Sequence, residues 1–220
     1  MRKVALLLLI SLLLTGCHHS LRTEVQGSGK RERQKREVAP FTSISTEGAF
    51  TIEVTCQKDQ SVEVEGDDNI LPLVTAEVRN NVLRLSNKGS YSTSEPARFK
   101  ISVPNLEVLN VSGAGKIDIK GMNNEQFAID VDGAPTINVS GSTKMVNIHT
   151  NGAGKVNTYN LNATRAVVNS NGATEVELDV DEHLDVTVNG PSSVTYKGDP
   201  VVNKNVNGPG KVVRRSSEGA

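Results

Sequence analysis

The chain has 220 residues, with 24 Lys and Arg against 25 Asp and Glu, and a formal net charge of −1 at pH 7. This balance argues against a nucleic-acid-binding protein, because such proteins carry an excess of basic residues to neutralise phosphates. Aromatic residues make up only 3% of the chain and Trp is absent. A folded core must therefore be thin and aliphatic.

The first 17 residues have the features of a targeting segment. Arg2 and Lys3 supply positive charge, and residues 4–14 form an apolar run too short to cross a bilayer as a stable helix. The run ends in Leu-Thr-Gly-Cys17, which resembles the lipobox of bacterial lipoproteins, where cleavage before the Cys precedes acylation of its thiol. We therefore expect a signal peptide over 1–16 and a lipid on Cys17. Because no Asp follows the Cys, the outer membrane is favoured over the inner membrane.

Residues 17–37 combine the Cys with a polar, densely charged stretch that contains five basic residues between 30 and 36. No apolar periodicity runs through it, which is typical of a flexible tether between a lipid anchor and a domain. An alternative interpretation is a basic patch on anionic headgroups or lipopolysaccharide phosphates.

The folded domain is predicted over residues 38–213. Its first strands, within 41–56, place apolar residues in the same alternation as the repeat that follows, and Cys56 continues the inward parity as a buried, inert thiol. Residues 57–103 interrupt the period. Since an open solenoid end exposes unpaired strand edges, we interpret this interruption as an N-terminal cap.

A repeat of 18 to 20 residues runs from residue 111 to the C-terminus. It is marked by a glycine preceded mostly by Asn or Asp: Gly113, Gly133, Gly152, Gly172, Gly190 and Gly208. Apolar residues lie four and six positions after most of these glycines and six, four and two positions before them, so the repeat alternates as strands do when one face is buried.

Each repeat reads as strand, glycine turn, strand and second turn. Such a period predicts an all-β fold, a right-handed parallel β-solenoid of about six coils stacked roughly 4.8 Å apart. Asn, Asp and Gly tolerate positive φ, which suits tight corners, and stacked Asn side chains can form an amide ladder. Residues 214–220 are predicted to be a polar tail.

The repeats place a polar residue three positions before every marker glycine, on the outward face. These residues form a candidate binding strip: Asn110, Asp130, His149, Asn169, Thr187 and Asn205. A flat polar strip on a rigid solenoid could bind a glycan or an envelope protein, although solvent-facing polar positions explain the pattern as well.

Acidic residues are concentrated between 175 and 185. Glu175, Glu177 and Asp179 alternate outward on one strand, three more acids follow, and Arg165 lies on the preceding coil. A parallel β-helix polysaccharide lyase uses acids and a basic residue on such a face. A solvated acidic surface is the other interpretation.

No other chemistry is predicted. The glycine turns precede strands rather than helices, so they are not phosphate loops. The four His residues do not converge with other ligands, and neither a metal nor a cofactor is expected.

The S/N-G-A-G turns, the segment Gly66-Asp67-Asp68-Asn69 and the lipobox together resemble the autotransporter adhesin head GIN domain family, over roughly 38–213. The resemblance implies a pectin-lyase-like β-superhelix in bacterial envelope proteins, with no known catalytic set and an adhesin role inferred from architecture. Residues 132–135 and 190–192 depart from the G-A-G form.

Two functions therefore stand at this stage. One is a non-enzymatic adhesion or scaffold module that holds to the membrane through Cys17 and has no catalytic residues. The other is a β-helix carbohydrate-active enzyme that uses the acids of 175–185. Catalysis needs convergent groups with separated pKa values, whereas this chain distributes its polar residues in columns, and so favours the first. The oligomeric state is left open.

Overall fold

The computed structural model describes residues 24–215. The predicted signal peptide, Cys17 and residues 216–220 of the predicted tail lie outside the described residues. Within 24–215 every regular element is a β-strand, and no helix there could cross a membrane. The strands are β1 Val25–Gln26, β2 Arg31–Lys35, β3 Ser43–Thr46, β4 Thr51–Cys56, β5 Ser61–Asp67, β6 Val74–Arg79, β7 Val82–Asn87, β8 Tyr91–Ser92, β9 Arg98–Val103, β10 Val108–Val111, β11 Lys116–Val131, β12 Thr136–Thr150, β13 Lys155–Ser170, β14 Glu175–Asn189, β15 Ser193–Lys197, β16 Val201–Asn207 and β17 Lys211–Arg214.

Successive coils stack in parallel, as the repeat predicts. The long strands β11 to β14 each run around most of one coil and pair with the next along their whole length. The fold is a β-solenoid of about five turns. Six coils were predicted from six marker glycines. The sixth glycine is followed only by the short β17, so it does not begin a full coil. The handedness stays a prediction.

The buried face follows the predicted phase. Ile117 pairs with Ile137, which pairs with Val156 and then Val176, and all four side chains are fully buried. Each coil thus adds one aliphatic layer to a continuous core. The few aromatic residues are spread along the chain, and the rings of Phe50 and Phe99 pack edge to face with centroids 5.3 Å apart.

Glycine is required at most of the turns for a different reason from the one that the sequence suggests. Most marker glycines and the Asn residues before them are not at positive φ. Glycine is needed because the turns stack closely: a Cβ on Gly152 would collide with the carbonyl oxygen of Gly133. That carbonyl accepts a hydrogen bond from the amide of Ala153 at 3.0 Å, so the turns are joined by backbone bonds from coil to coil.

The N-terminal end is closed by antiparallel strands within the predicted cap. β7 and β9 still pair in parallel with β3 and β4, and so form one further rung. β5 and β6 then pair antiparallel with β9 and β7. Because β5 and β6 run opposite to the strands they pair with, the parallel stack ends at them.

The prediction of a flexible basic tether through residue 37 is wrong for β2. This strand pairs antiparallel with β5 from Arg31 to Lys35. The side chain of Arg33 bridges Glu63 at 3.1 Å and Glu65 at 3.0 Å, and its hydrogen bond lowers the pKa of Glu65. Basic residues of one strand meet acidic residues of another here. The cations considered for membrane headgroups are thus partly engaged within the protein.

The C-terminal end carries charge where the other coils carry apolar residues. Lys204 pairs with Val186 and Arg214 with Tyr196, so both occupy inward columns. Both side chains are exposed because no coil covers them. Inward-pointing charges on an edge strand oppose further strand addition. Arg214 ends β17, one residue into the predicted tail.

Candidate functional site

The predicted binding strip exists as one aligned column. Each member is the register partner of the next, from Asn110 to Asp130, His149, Asn169, Thr187 and Asn205. None of the six is buried, and Asp130, Asn169 and Asn205 are exposed. The solenoid therefore presents these side chains as a straight polar row on its outer surface.

The row extends further than the sequence pattern indicates. Asn110 pairs with Ser45, and Ser45 pairs with Arg84 on the far side of β3. The period is broken in this part of the chain, so counting from the marker glycines could not reach either residue. The alternation of buried and exposed residues within β3 and β7 is the sequence pattern that could have indicated Ser45 and Arg84.

A second column, next to the strip, is held by amide hydrogen bonds, as the stacked Asn residues predict. Asn151 donates to the Asp132 carboxylate at 3.0 Å, and Asn171 donates to Asn151 at 3.0 Å. Asn189 and Asn207 continue this asparagine ladder at 2.8 and 2.9 Å. These side chains satisfy one another, so they fix the turns rather than offer free groups to a ligand.

His149 connects the two columns. Its Nε2 lies 3.2 Å from Nδ2 of Asn151. Because that amide nitrogen is a donor, Nε2 is the acceptor of this contact. The orientation of the ring in the strip is thereby fixed by the ladder.

The inner side of the turns contains a buried hydroxyl chain that sequence reasoning missed. Thr150 and Ser170 lie 2.8 Å apart, and Ser170 donates to Ser192 at 2.7 Å. Ser192 donates in turn to the carbonyl of Gly172 at 2.7 Å. Each hydroxyl is fully or almost fully buried, so its bonds offset the cost of burial. The role of this chain is structural.

The acids considered for catalysis are bound to cations along β14. Lys155 Nζ lies 3.2 Å from Glu175 and 3.0 Å from Glu177, and the hydrogen bond to Glu177 raises the pKa of Lys155. Lys197 lies 3.2 Å from Asp179. Three of the carboxylates are therefore held in ion pairs, two of them by the same Lys155.

The remaining groups of this face repeat the pattern. Arg165 reaches only Glu182, at 3.9 Å, and both side chains are more than half exposed. Asn162 donates to the carboxylate of Asp181 at 3.1 Å. Lys197 also lies 4.3 Å from the ring centre of Tyr159. Among residues 24–215 no group of three or more His, Cys, Asp or Glu could hold a metal ion.

Cys56 is the buried thiol that its parity predicts. Its side chain is 3% exposed, and burial raises its pKa to about 11. A thiol with so high a pKa is protonated at neutral pH and is a poor nucleophile.

A large cavity lies elsewhere, at the second corner of the coils. It has a volume of about 970 Å³ and is lined from residue 57, the loop at 104–108, and the corners of β11, β12 and β13. No candidate residue from the sequence lies in it. The signal that could have found it is the dense run of amides at 123–126.

The comparisons with known proteins agree with this architecture. The chain resembles a crystal structure of a putative adhesin from Bacteroides fragilis, with 24% identity, a TM-score of 0.68, and coverage of 87% of this chain and 100% of that one. A putative lipid binding protein from Parabacteroides distasonis has 18% identity, a TM-score of 0.51, and coverage of 88% and 100%.

A putative adhesin from the same species has 21% identity, a TM-score of 0.51, and coverage of 87% and 99%. No curated protein sequence matches the chain. The family model described as "Putative auto-transporter adhesin, head GIN domain" matches residues 40–200. The chain belongs to this head GIN domain family.

Proposed function

We propose that this protein is a non-enzymatic binding module of the bacterial envelope, adhesin-like or scaffolding, that engages its target through the polar strip. The observation that carries the proposal is the register of the strip, which aligns an exposed or half-exposed polar side chain on every coil from β10 to β16. Its target is a glycan or an envelope protein.

The scaffold makes such a strip useful for binding. Parallel pairing fixes the coils ~4.8 Å apart, and the asparagine ladder holds the neighbouring turns. Side chains on such a frame lose little freedom when a partner binds, so less of the interaction energy is spent on ordering.

The relatives support binding rather than catalysis. The family is described as an adhesin head, and the similar structures are named as adhesins or as a lipid binding protein. The alternative is a polysaccharide lyase-like enzyme using residues 175–185. Four of those acids are paired with Lys or Arg: Glu175, Glu177, Asp179 and Glu182. Asp181 and Asp185 have no ion pair within residues 24–215, so a general base free of a counter-charge would have to be one of these two.

Attachment to the outer membrane through a lipid on Cys17 is part of the proposal. The first strand begins at Val25, so seven residues separate it from Cys17, and they span at most about 25 Å when extended. The solenoid would therefore stay close to the bilayer instead of moving on a long tether.

The experiment is a glycan array and an envelope pull-down with the purified protein, beside an assay for unsaturated uronide release. Binding that is lost when His149 and Asn169 are both changed to Ala, with no turnover of any polymer, is the expected result. Uronide release that disappears in Glu177→Gln would replace the proposal with the enzyme.

A further inference from the structure

The cavity at the second corner, here called the amide groove, has a composition unlike the rest of the surface. Seven of its lining residues are Asn or Gln, among them Asn123, Asn124, Asn147 and Asn162. The groove crosses the corners of β11, β12 and β13, on the side of the coil away from the glycine turns.

The groove lies beside a break in the regular pairing. β11 and β12 pair in step through it, with Asn123 beside Ser142, and β13 continues the same column with Asn162. The pairing of β13 with β14 then shifts between Thr158 and Asn162. The regular stack is therefore interrupted at the edge of the groove rather than inside it.

The walls of the groove are held in place by the chain itself. Gln57 donates from Nε2 to the carbonyl oxygens of Pro104 and Asn123, at 3.1 and 3.2 Å. Asn124 donates to the carbonyl of Leu106 at 2.7 Å. The cap region and the first regular coil are thereby joined across one end of the groove, which favours a preformed site.

The groove contains two acids and one base, and one of the acids is in an ion pair. Lys144 and Glu125 form an ion pair at 2.7 Å. Glu107 accepts hydrogen bonds from Asn105 at 3.1 Å and Thr42 at 3.2 Å. What remains for a ligand is a set of neutral amides, each of which offers both donors and an acceptor.

One polar atom that lines the groove is buried without a hydrogen bond, which is unfavourable for folding. Oδ1 of Asn124 is buried and accepts no hydrogen bond from residues 24–215. An unpaired buried acceptor costs about 1–3 kcal/mol, which offsets part of what the bond from Nδ2 of Asn124 to Leu106 contributes. By contrast, Asn123 and Asn147 make no side-chain hydrogen bond within the described chain, and Asn123 is exposed.

We propose that the amide groove is a carbohydrate site that binds a neutral oligosaccharide laid across three to four coils. Paired donors and acceptors match the hydroxyl groups of sugars. The charged lining residues are two acids against one Lys, so an anionic polymer would lack the cations it needs. The coils repeat every ~4.8 Å, and the column Asn123, Ser142 and Asn162 offers a polar side chain on three successive coils.

The groove adjoins the binding strip. Asn147 lies two residues before His149 on β12, and its register partner Ala128 lies two residues before Asp130. A sugar chain that leaves the groove would therefore pass along the strip. This inference rests on the proposed binding function and assigns its ligand class and its main contact site.

The test uses an array of neutral hexose and N-acetylhexosamine oligomers beside oligomers of uronic acids, followed by calorimetry with the best neutral oligomer. Neutral oligomers are expected to bind. Asn123→Ala and Asn147→Ala should each weaken binding about tenfold, the value of one good hydrogen bond. Asn203→Ala is the matched control, since Asn203 lies in the same outward column as Asn147 but on β16, outside the groove.

The outcomes separate this inference from the proposed function. Neutral binding that is unchanged by Asn123→Ala and Asn147→Ala overturns the groove, as does binding of uronic acid oligomers alone. Capture of an envelope protein without any sugar binding also overturns the groove and leaves the binding module standing. If neither sugars nor envelope proteins bind, both proposals fail. Unchanged melting curves for the variants ensure that lost binding is not lost folding.

Discussion

The asparagine ladder makes a quantitative prediction. Asn171 sits in its middle, donating to Asn151 at 3.0 Å and accepting from Asn189 at 2.8 Å. Asn171→Ala removes both bonds. The substitution introduces no backbone strain, because Asn171 is not among the residues at positive φ.

The magnitude follows from these two contacts. A hydrogen bond contributes about 0.5–1.5 kcal/mol net, which gives about 1–3 kcal/mol for two. The ladder is exposed, so water can replace part of the loss, and we expect about 1–2 kcal/mol. For a domain of this size, that lowers the melting temperature by roughly 2–8 °C.

The assay is urea and thermal unfolding followed by circular dichroism. Asn169→Ala is the control: Asn169 lies two residues before Asn171, near the end of β13, and is also exposed. It has no side-chain hydrogen bond within residues 24–215, so its effect should stay within about 0.5 kcal/mol. Because Asn171 and Asn189 share one bond, the double Ala variant should lose less than the sum of the single variants. Equal costs at 169 and 171, or full additivity, would refute the ladder as a source of stability.

Four further predictions follow from burial, anchoring and edge charge. Ile137→Asp, at a fully buried position, forfeits about 1.5–3 kcal/mol of burial and strands a charge, so circular dichroism should show unfolding, while Asn138→Ser should stay folded. Cys17→Ser should move the protein from the membrane fraction to the soluble fraction on immunoblots; unchanged fractionation would contradict the anchor. Cys56, whose pKa is raised to about 11 by burial, should resist iodoacetamide at pH 8 until urea unfolds the protein, as mass spectrometry would show; rapid native labelling would oppose this. Lys204→Val should cause association through the C-terminal edge, seen as a larger species in size-exclusion chromatography, and a variant that remains unchanged in size would count against Lys204 as the block.

The regular coils were predictable because parity and period together determine register. Once the marker glycine sets the phase, Ile117 must stack on Ile137 and the strip must align from Asn110 to Asn205. The same logic anticipated the asparagine ladder. Wherever each coil repeats the pattern of its neighbour, the alternation of apolar and polar residues is enough to predict the register of the strands.

The parts that were missed depend on contacts distant in sequence. β2 was interpreted as tether because its charges look solvated until Glu63 and Glu65 are placed beside Arg33. The turn glycines were assigned to positive φ, which holds for Gly190 and Gly208, whereas most of the others are required by the neighbouring coil's carbonyl. The amide groove was missed because the second corner has no marker residue and its lining comes from segments far apart in sequence.

Two distinctive places on this solenoid share one physical origin. A repeated polar column can satisfy its own groups, as the asparagine ladder does. Where a column is not copied, a group keeps its hydrogen-bonding capacity: Asn147 lies between Ala128 and Val167 and makes no side-chain hydrogen bond within residues 24–215. At the last coil Lys204 replaces an aliphatic residue and opposes the addition of another strand. The proposed sugar contact and the edge charge thus both arise where one coil departs from its neighbour, while the regular coils supply rigid spacing and carry the polar strip.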